Sequence, residues 1–170
     1  MGAHGSNDTH AYAWGTGTGL DRIRLLAEEL DHAPHVPYTQ FGLRITRAGK
    51  GIVELSWTPG ETLLNRGRVV HGGFIATTLD ETCGVAVMSG SEPLTPYLTM
   101  SLNVEYLRPV RAGATYTVIG RVLKPGRVRT LVRATVEDDT GRLCAEGTAA
   151  MTPNHALLER SGHGSTGTVA

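Results

Sequence analysis

The chain has 170 residues, a length for one domain with a proper core and too short for two. Lys plus Arg equal Asp plus Glu at 16 each, so no basic field points to nucleic acid, and no apolar run approaches the roughly 20 residues of a membrane span. Two Cys cannot build a disulfide framework, and the N-terminus has no hydrophobic leader, so the composition predicts a soluble, cytoplasmic protein with reduced thiols.

Residues 1–19 are Gly, Thr, His and Ala without periodicity and are predicted to form a loose tail. Within a helix predicted over 20–31, Leu20, Ile23, Leu26, Ala27 and Leu30 recur at helical spacing, and Pro34 and Pro37 close it. Phe41 to Arg47 and Ile52 to Thr58 read as a strand pair turned by Ala48-Gly49-Lys50-Gly51. A loop over 59–70 leads into His71-Gly72-Gly73. From Phe74 to Met88 the chain has the length and composition of a helix apolar nearly all round, the mark of a helix enclosed by other elements.

Tyr97 to Leu107 alternates, with Leu98, Met100, Leu102, Val104 and Tyr106 on one face and Thr99, Ser101, Asn103 and Glu105 on the other, which predicts a half-buried strand. Strands over 114–124 and 128–137 follow, joined at Pro125-Gly126, and a turn at 138–141 leads into a last strand over 142–152. Residues 158–170 are predicted to be a flexible tail, which leaves one domain over 20–157. The order is helix, two strands, a long buried helix and four strands. Tight turns make the later strands antiparallel neighbours, so an α+β fold with one curved antiparallel sheet around one central helix is the simplest packing.

Two carboxylates, Asp80 and Glu81, stand in the middle of the apolar helix, where a charge needs a reason. They lie about 100° apart and cannot share a face. Asp80 has the apolar and small neighbours Ala76, Thr77, Cys83 and Gly84 one turn away, a setting for a carboxylate that activates water or attacks a carbonyl. Gly72 and Gly73 open the helix, where the first backbone N–H groups lack internal partners and face the positive end of the dipole. An oxyanion would be stabilised there. Cys83, with no activating His nearby in sequence, reads as a small core residue. No set of His, Cys and carboxylates has metal-ligand spacing.

Asn65 six residues before His71-Gly72-Gly73, and Asp80 nine residues after His71, resemble the hotdog-fold acyl-CoA thioesterases of the phenylacetate-pathway type. The segments at 99–109, 124–127 and 141–147 are similar to that family too, so that the likeness spans about residues 38–152. The resemblance implies a hotdog fold and hydrolysis of acyl-CoA, with no cofactor beyond the coenzyme A of the substrate. It implies that Asp80 is general base or nucleophile, that Gly72 N–H stabilises the oxyanion, that Asn65 and Thr99 position carbonyl and water, and that His71 helps shape the site. Gly73 and the basic residues Arg108, Lys124, Arg127 and Arg129 are candidates for binding the substrate, the cations for its phosphates. The family pattern often has Gly three residues before the His, where this chain has Arg68. Two competing readings are a hotdog dehydratase or hydratase pairing His71 with Asp80, and a non-catalytic acyl-CoA-binding protein. The acyl group is left open among aryl, arylacetyl and medium-chain fatty acyl. Because Gly72 and Asp80 are too far apart on one helix to hold the same carbonyl, a homodimer or homotetramer with sites at the subunit interface is expected.

Overall fold

The computed structural model describes residues 14–32 and 38–162. The apolar stripe of the first helix forms α1 (Gly19–His32), with Ile23 and Leu26 buried and an Arg22–Glu29 ion pair of 3.1 Å on its flank. Thr18 caps it, accepting from Asp21 N–H at 3.2 Å and donating to the Asp21 carboxylate at 2.7 Å. The expected closure by Pro34 and Pro37 lies outside the described residues. So does most of the expected N-terminal tail; of its described part, Gly15 N–H and Gly19 N–H donate to the carbonyls of Leu94 and Ser91.

A short helix α2 (Tyr38–Phe41) follows, and Phe41 belongs to it rather than to the first strand. Strands β1 (Leu43–Gly49) and β2 (Ile52–Trp57) pair antiparallel, with Gly49 opposite Ile52. The turn is therefore only Lys50-Gly51, and Gly51, at its second position, has a positive φ of 73°, a conformation glycine adopts without cost. The central helix α3 (Gly72–Ser89) is followed by β3 (Tyr97–Tyr106), β4 (Tyr116–Lys124), β5 (Thr130–Glu137), β6 (Leu143–Pro153) and a terminal helix α4 (His155–Gly162). The six strands form one antiparallel sheet in the order β1-β2-β4-β5-β6-β3. The sheet lies on α3, whose Ile75, Leu79, Cys83, Val85, Ala86 and Val87 are buried against Leu55, Val118, Val132, Val136 and Ala149. This is the hotdog arrangement, a curved sheet around one long helix, that the sequence implies.

The strands carry glycine where α3 passes closest. A Cβ on Gly120 of β4 would stand 2.7 Å from the Thr82 carbonyl oxygen and 3.0 Å from Ala86 Cβ. Those contacts are with the helix itself, which cannot rotate away as a side chain can. Gly120→Ala is expected to destabilise the fold by about 1–3 kcal/mol, read as a lowered midpoint in chemical denaturation. An unchanged midpoint would mean that sheet and helix are less tightly joined than described.

β3 departs from the expected pattern. Strict alternation would bury one of its faces along the whole strand, yet Leu98, Met100 and Tyr106 are 52%, 58% and 53% exposed. Two causes combine. β3 is an edge strand, paired only with β6, and the pairing slips between Thr99 and Ser101, where Met100 is an extra residue. A one-residue bulge exchanges the faces of everything beyond it. Tyr97 and Thr99 before the bulge, and Leu102, Val104 and Tyr106 after it, therefore all lie on the side of α3. Leu98 and Met100 are left outside.

Candidate active site

The loop before α3 is fixed by its own backbone. Asn65 N–H donates to Val69 O at 2.8 Å, Val70 N–H to Val110 O at 2.9 Å and His71 N–H to Leu63 O at 2.9 Å. The Asn65 side-chain oxygen accepts from Gly67 N–H at 2.8 Å and from Val69 N–H at 3.4 Å, which closes the turn. That leaves the Asn65 amide NH2 as the part of this side chain able to reach a ligand. Arg68 has φ 60°, a left-handed conformation that glycine adopts without cost. The chain thus keeps the bend at the position where the family pattern often has Gly, and accepts the strain of an Arg there.

His71 caps α3: its Nδ1 accepts from Gly73 N–H at 3.0 Å, and its carbonyl accepts from Phe74 and Ile75. Both His71 Nδ1 and Gly73 N–H are thereby used in starting the helix. Gly72 N–H has no partner among the described residues, as expected of a first-turn donor. Gly72 lines a cleft of about 340 Å³ together with Val70, Ile75, Tyr106 and Arg108. Tyr106 donates its hydroxyl to the Gly72 carbonyl at 3.0 Å, and a Cβ at position 72 would stand 3.3 Å from its ring. Tyr106 thus sets the floor beneath the glycine, a role that its place on the apolar face of the strand did not by itself reveal.

About two turns further along α3, Thr99 Oγ1 donates to Asp80 Oδ1 at 2.8 Å across the gap between β3 and α3. The bond fixes one carboxylate oxygen and leaves the other open. Neither residue is fully buried, so the pair is reachable from outside. Glu81, half-buried, lies about 100° away on the helix. Cys83 is fully buried, and burial together with the nearby Asp80 charge pushes its thiol up to about 12. A thiol held protonated in this way is no nucleophile at neutral pH.

The structure brings Thr99 to Asp80 and Tyr106 to Gly72, but it keeps these two pairs apart. Eight residues of helix separate Gly72 from Asp80, roughly 12 Å along the axis. The basic residues divide in the same way. Arg108 lies beyond the Tyr106 end of β3, donates to the Leu143 carbonyl, and lines a second cleft of about 490 Å³ with Arg111, Asp138 and Arg142. There Asp138 accepts from Thr140 and Arg142, which hold its carboxyl well below the usual range. Lys124, Arg127 and Arg129 sit exposed in and beside the β4–β5 turn. Through Thr130, opposite Met151, opposite Thr99, that turn is on the Asp80 side. Among the described residues no group of His, Cys, Asp and Glu is placed to hold a metal ion, and no helix is long and apolar enough to cross a membrane.

The profile of the Thioesterase superfamily matches residues 67–145, from the loop before His71 to the start of β6. A candidate esterase of Saccharolobus solfataricus, SSO2140, is 31% identical over 98 residues, which are 58% of this chain and 67% of that one. The chain belongs to the thioesterase superfamily. Acyl-coenzyme A thioesterase 13 of Mus musculus is 31% identical over 86 residues, 49% of this chain and 59% of the mouse protein. The solved structure of the Escherichia coli PaaI protein, from the phenylacetic acid degradation operon, shares the fold with a TM-score of 0.68 at 17% identity, over 79% of this chain and 95% of that one. The superfamily match spans α3 with Gly72 and Asp80, and β3 with Thr99 and Tyr106.

Proposed function

We propose that the protein hydrolyses acyl-CoA thioesters to a carboxylic acid and free coenzyme A, at sites shared between two copies of the chain. The observation that carries this reading is the Thr99–Asp80 hydrogen bond, a carboxylate steadied on one oxygen and open on the other, in a superfamily of thioesterases. The likeness to an acyl-coenzyme A thioesterase of mouse supports CoA as the thiol.

In this reading the thioester carbonyl rests on Gly72 N–H, with the Asn65 amide beside it. Asp80 takes a proton from water, held by the free carboxylate oxygen, as the water oxygen attacks the carbonyl carbon. The negative charge moves to the carbonyl oxygen, against the N–H and the positive end of α3. Collapse of the intermediate breaks the C–S bond, and the departing thiolate recovers the proton. Direct attack by Asp80 gives the same products through a mixed anhydride that water then opens. Single turnover in heavy-oxygen water tests the second route: label in the Asp80 carboxylate marks an anhydride opened at that residue, which direct attack by water cannot give. No metal or cofactor enters either route. In this reading the exposed cations Arg108, Lys124, Arg127 and Arg129 meet the phosphates of CoA, and Gly73 keeps the entry to α3 free of a side chain.

The distance between Gly72 and Asp80 calls for a second copy. β3 offers it an edge: ten residues paired on one side only, with Leu98 and Met100 exposed beside it. An apolar, unpaired edge of this length is a template for another strand. Two copies related by a two-fold axis, with their α3 helices antiparallel, would bring Gly72 of each to Asp80 of the other. The assembly is then a homodimer, or a homotetramer built from two such pairs.

Thiol release from a panel of acyl-CoAs tests the activity directly; absence of release from every one would end the reading. Within it, Thr99→Ala is expected to lower kcat by about ten- to hundredfold, the worth of one hydrogen bond to a charged group. The loss stays smaller than that from removing the Asp80 carboxylate, because an orienting hydroxyl assists a base and does not replace it. A Thr99→Ala enzyme as inactive as Asp80→Asn would make the hydroxyl a primary reacting group.

A further inference from the structure

Two glycines in succession are a loose way to begin a helix, because glycine loses more backbone freedom on ordering than any other residue. α3 begins with Gly72 and Gly73, and the reading above gives Gly72 N–H the task of holding an oxyanion. A donor stabilises developing charge best when it already points at it.

Side chains supply the order that the glycines lack. Gly73 N–H donates to His71 Nδ1, the Gly73 carbonyl accepts from Thr77 Oγ1, and the Gly72 carbonyl accepts from the Tyr106 hydroxyl, each at 3.0 Å. Of the four backbone polar groups of this pair, Gly72 N–H alone has no partner among the described residues. The His71 and Thr77 bonds are local, of kinds that helix caps and helix threonines make anywhere. The Tyr106 bond is different. It joins residues 34 apart and comes from the last residue of β3. That strand end is itself tied down, since Leu107 and Arg108 N–H both donate to the Cys144 carbonyl, at 2.8 and 2.9 Å. Val70 N–H, donating to the Val110 carbonyl at 2.9 Å, joins the same region to the loop before α3. Tyr106 is 53% exposed, so burial does not force its hydroxyl onto a protein acceptor; water would satisfy it. A phenylalanine would cover the helix start with the same ring. What tyrosine adds is a hydroxyl bound to the residue whose N–H, in the thioesterase reading, faces the substrate.

We infer that Tyr106 is a positioning residue of the reaction: by holding the Gly72 carbonyl, its hydroxyl fixes the direction of Gly72 N–H before the thioester carbonyl arrives. The proposal rests on the thioesterase reading above. The N–H and the carbonyl of Gly72 belong to two rigid peptide planes joined at one Cα. With no side chain at that Cα to restrict the two dihedrals between them, pinning one plane limits the swing of the other. Tyr106 transfers no proton and acts only through Gly72.

Tyr106→Phe keeps the ring and removes the hydroxyl. In steady-state kinetics on the acyl-CoA that wild type turns over best, kcat should fall about five- to tenfold while KM stays within about twofold and the thermal midpoint holds. A second readout sees the carbonyl itself. The same acyl-CoA, labelled with heavy carbon at the thioester carbonyl, is bound to Asp80→Asn, whose turnover is expected to be slow, and its carbonyl stretch is read by difference infrared spectroscopy. A hydrogen bond lowers that frequency. Asp80→Asn should therefore show a band below that of the free thioester, and Asp80→Asn combined with Tyr106→Phe a band moved part of the way back. Unchanged kcat or an unmoved band overturns the proposal. So does a loss of kcat matched by a rise in KM or a lowered midpoint, which would make the hydroxyl merely structural. A band at the free-thioester position in Asp80→Asn removes Gly72 N–H as the donor, and the proposal with it. No thiol release by the wild type overturns the thioesterase reading as well, whereas turnover with any of the other adverse results overturns this proposal and leaves the hydrolysis standing.

Discussion

Asp80→Asn should lower kcat by about a thousandfold while the protein keeps its fold and its thermal midpoint, and Glu81→Gln should change kcat by no more than a few-fold. The two carboxylates are neighbours in sequence and differ in everything that matters to chemistry. Asp80 is joined to Thr99 across the α3–β3 gap and keeps one oxygen open. Glu81 points about 100° away, out of reach of the same carbonyl. Asparagine preserves the size of Asp80 and can still meet the Thr99 hydroxyl through its amide oxygen, but it cannot take a proton from water or attack a carbonyl. The loss should therefore appear in kcat with little change in KM, as for an interaction made only in the transition state. Steady-state kinetics on the best acyl-CoA checks both variants. Equal losses, or a loss from Glu81→Gln alone, would move the reacting carboxylate to another position.

Most of the fold was legible because its signals are local. The apolar run after His71-Gly72-Gly73, the turn residues at Pro125-Gly126 and 138–141, and the amphipathic stripe of α1 each mark an element where the structure has one. The bulge in β3 was not legible. Its effect is to place Thr99 on the same side as Leu102 and Tyr106, whereas alternation puts Thr99 on the opposite face from both. A bulge is set by the partner strand β6, and nothing in the residues of β3 alone announces it. Tyr106 lies on the face that alternation expected, but its position opposite Gly72 depends on how β3 lies along α3, which neither sequence states alone.

Of the candidate site residues, Asp80, Gly72, Asn65 and Thr99 were reached by spacing and family likeness. The structure adds what spacing cannot give: the Thr99–Asp80 bond, the free N–H of Gly72, and the use of the Asn65 oxygen and of His71 Nδ1 in holding their own loop and helix. The basic residues show the reverse limit. Arg108 and the 124–129 turn resemble one phosphate-binding set in the sequence, yet they stand at opposite ends of one chain, because strand direction rather than sequence distance decides where a turn ends up.

The central claim is that each site is built from two subunits, with Gly72 and Asn65 from one and Asp80 and Thr99 from the other. The most direct measurement mixes two inactive variants, Asp80→Asn and Asn65→Ala, by unfolding and refolding them together in equal amounts. In a mixed dimer one site carries both changes and the other carries neither. Random pairing makes half of the dimers mixed, so about a quarter of wild-type activity per site should return. Each variant refolded alone should stay inactive. A mixture that stays as inactive as its parents, with subunit exchange proven by tags on the two variants, would contradict the shared site.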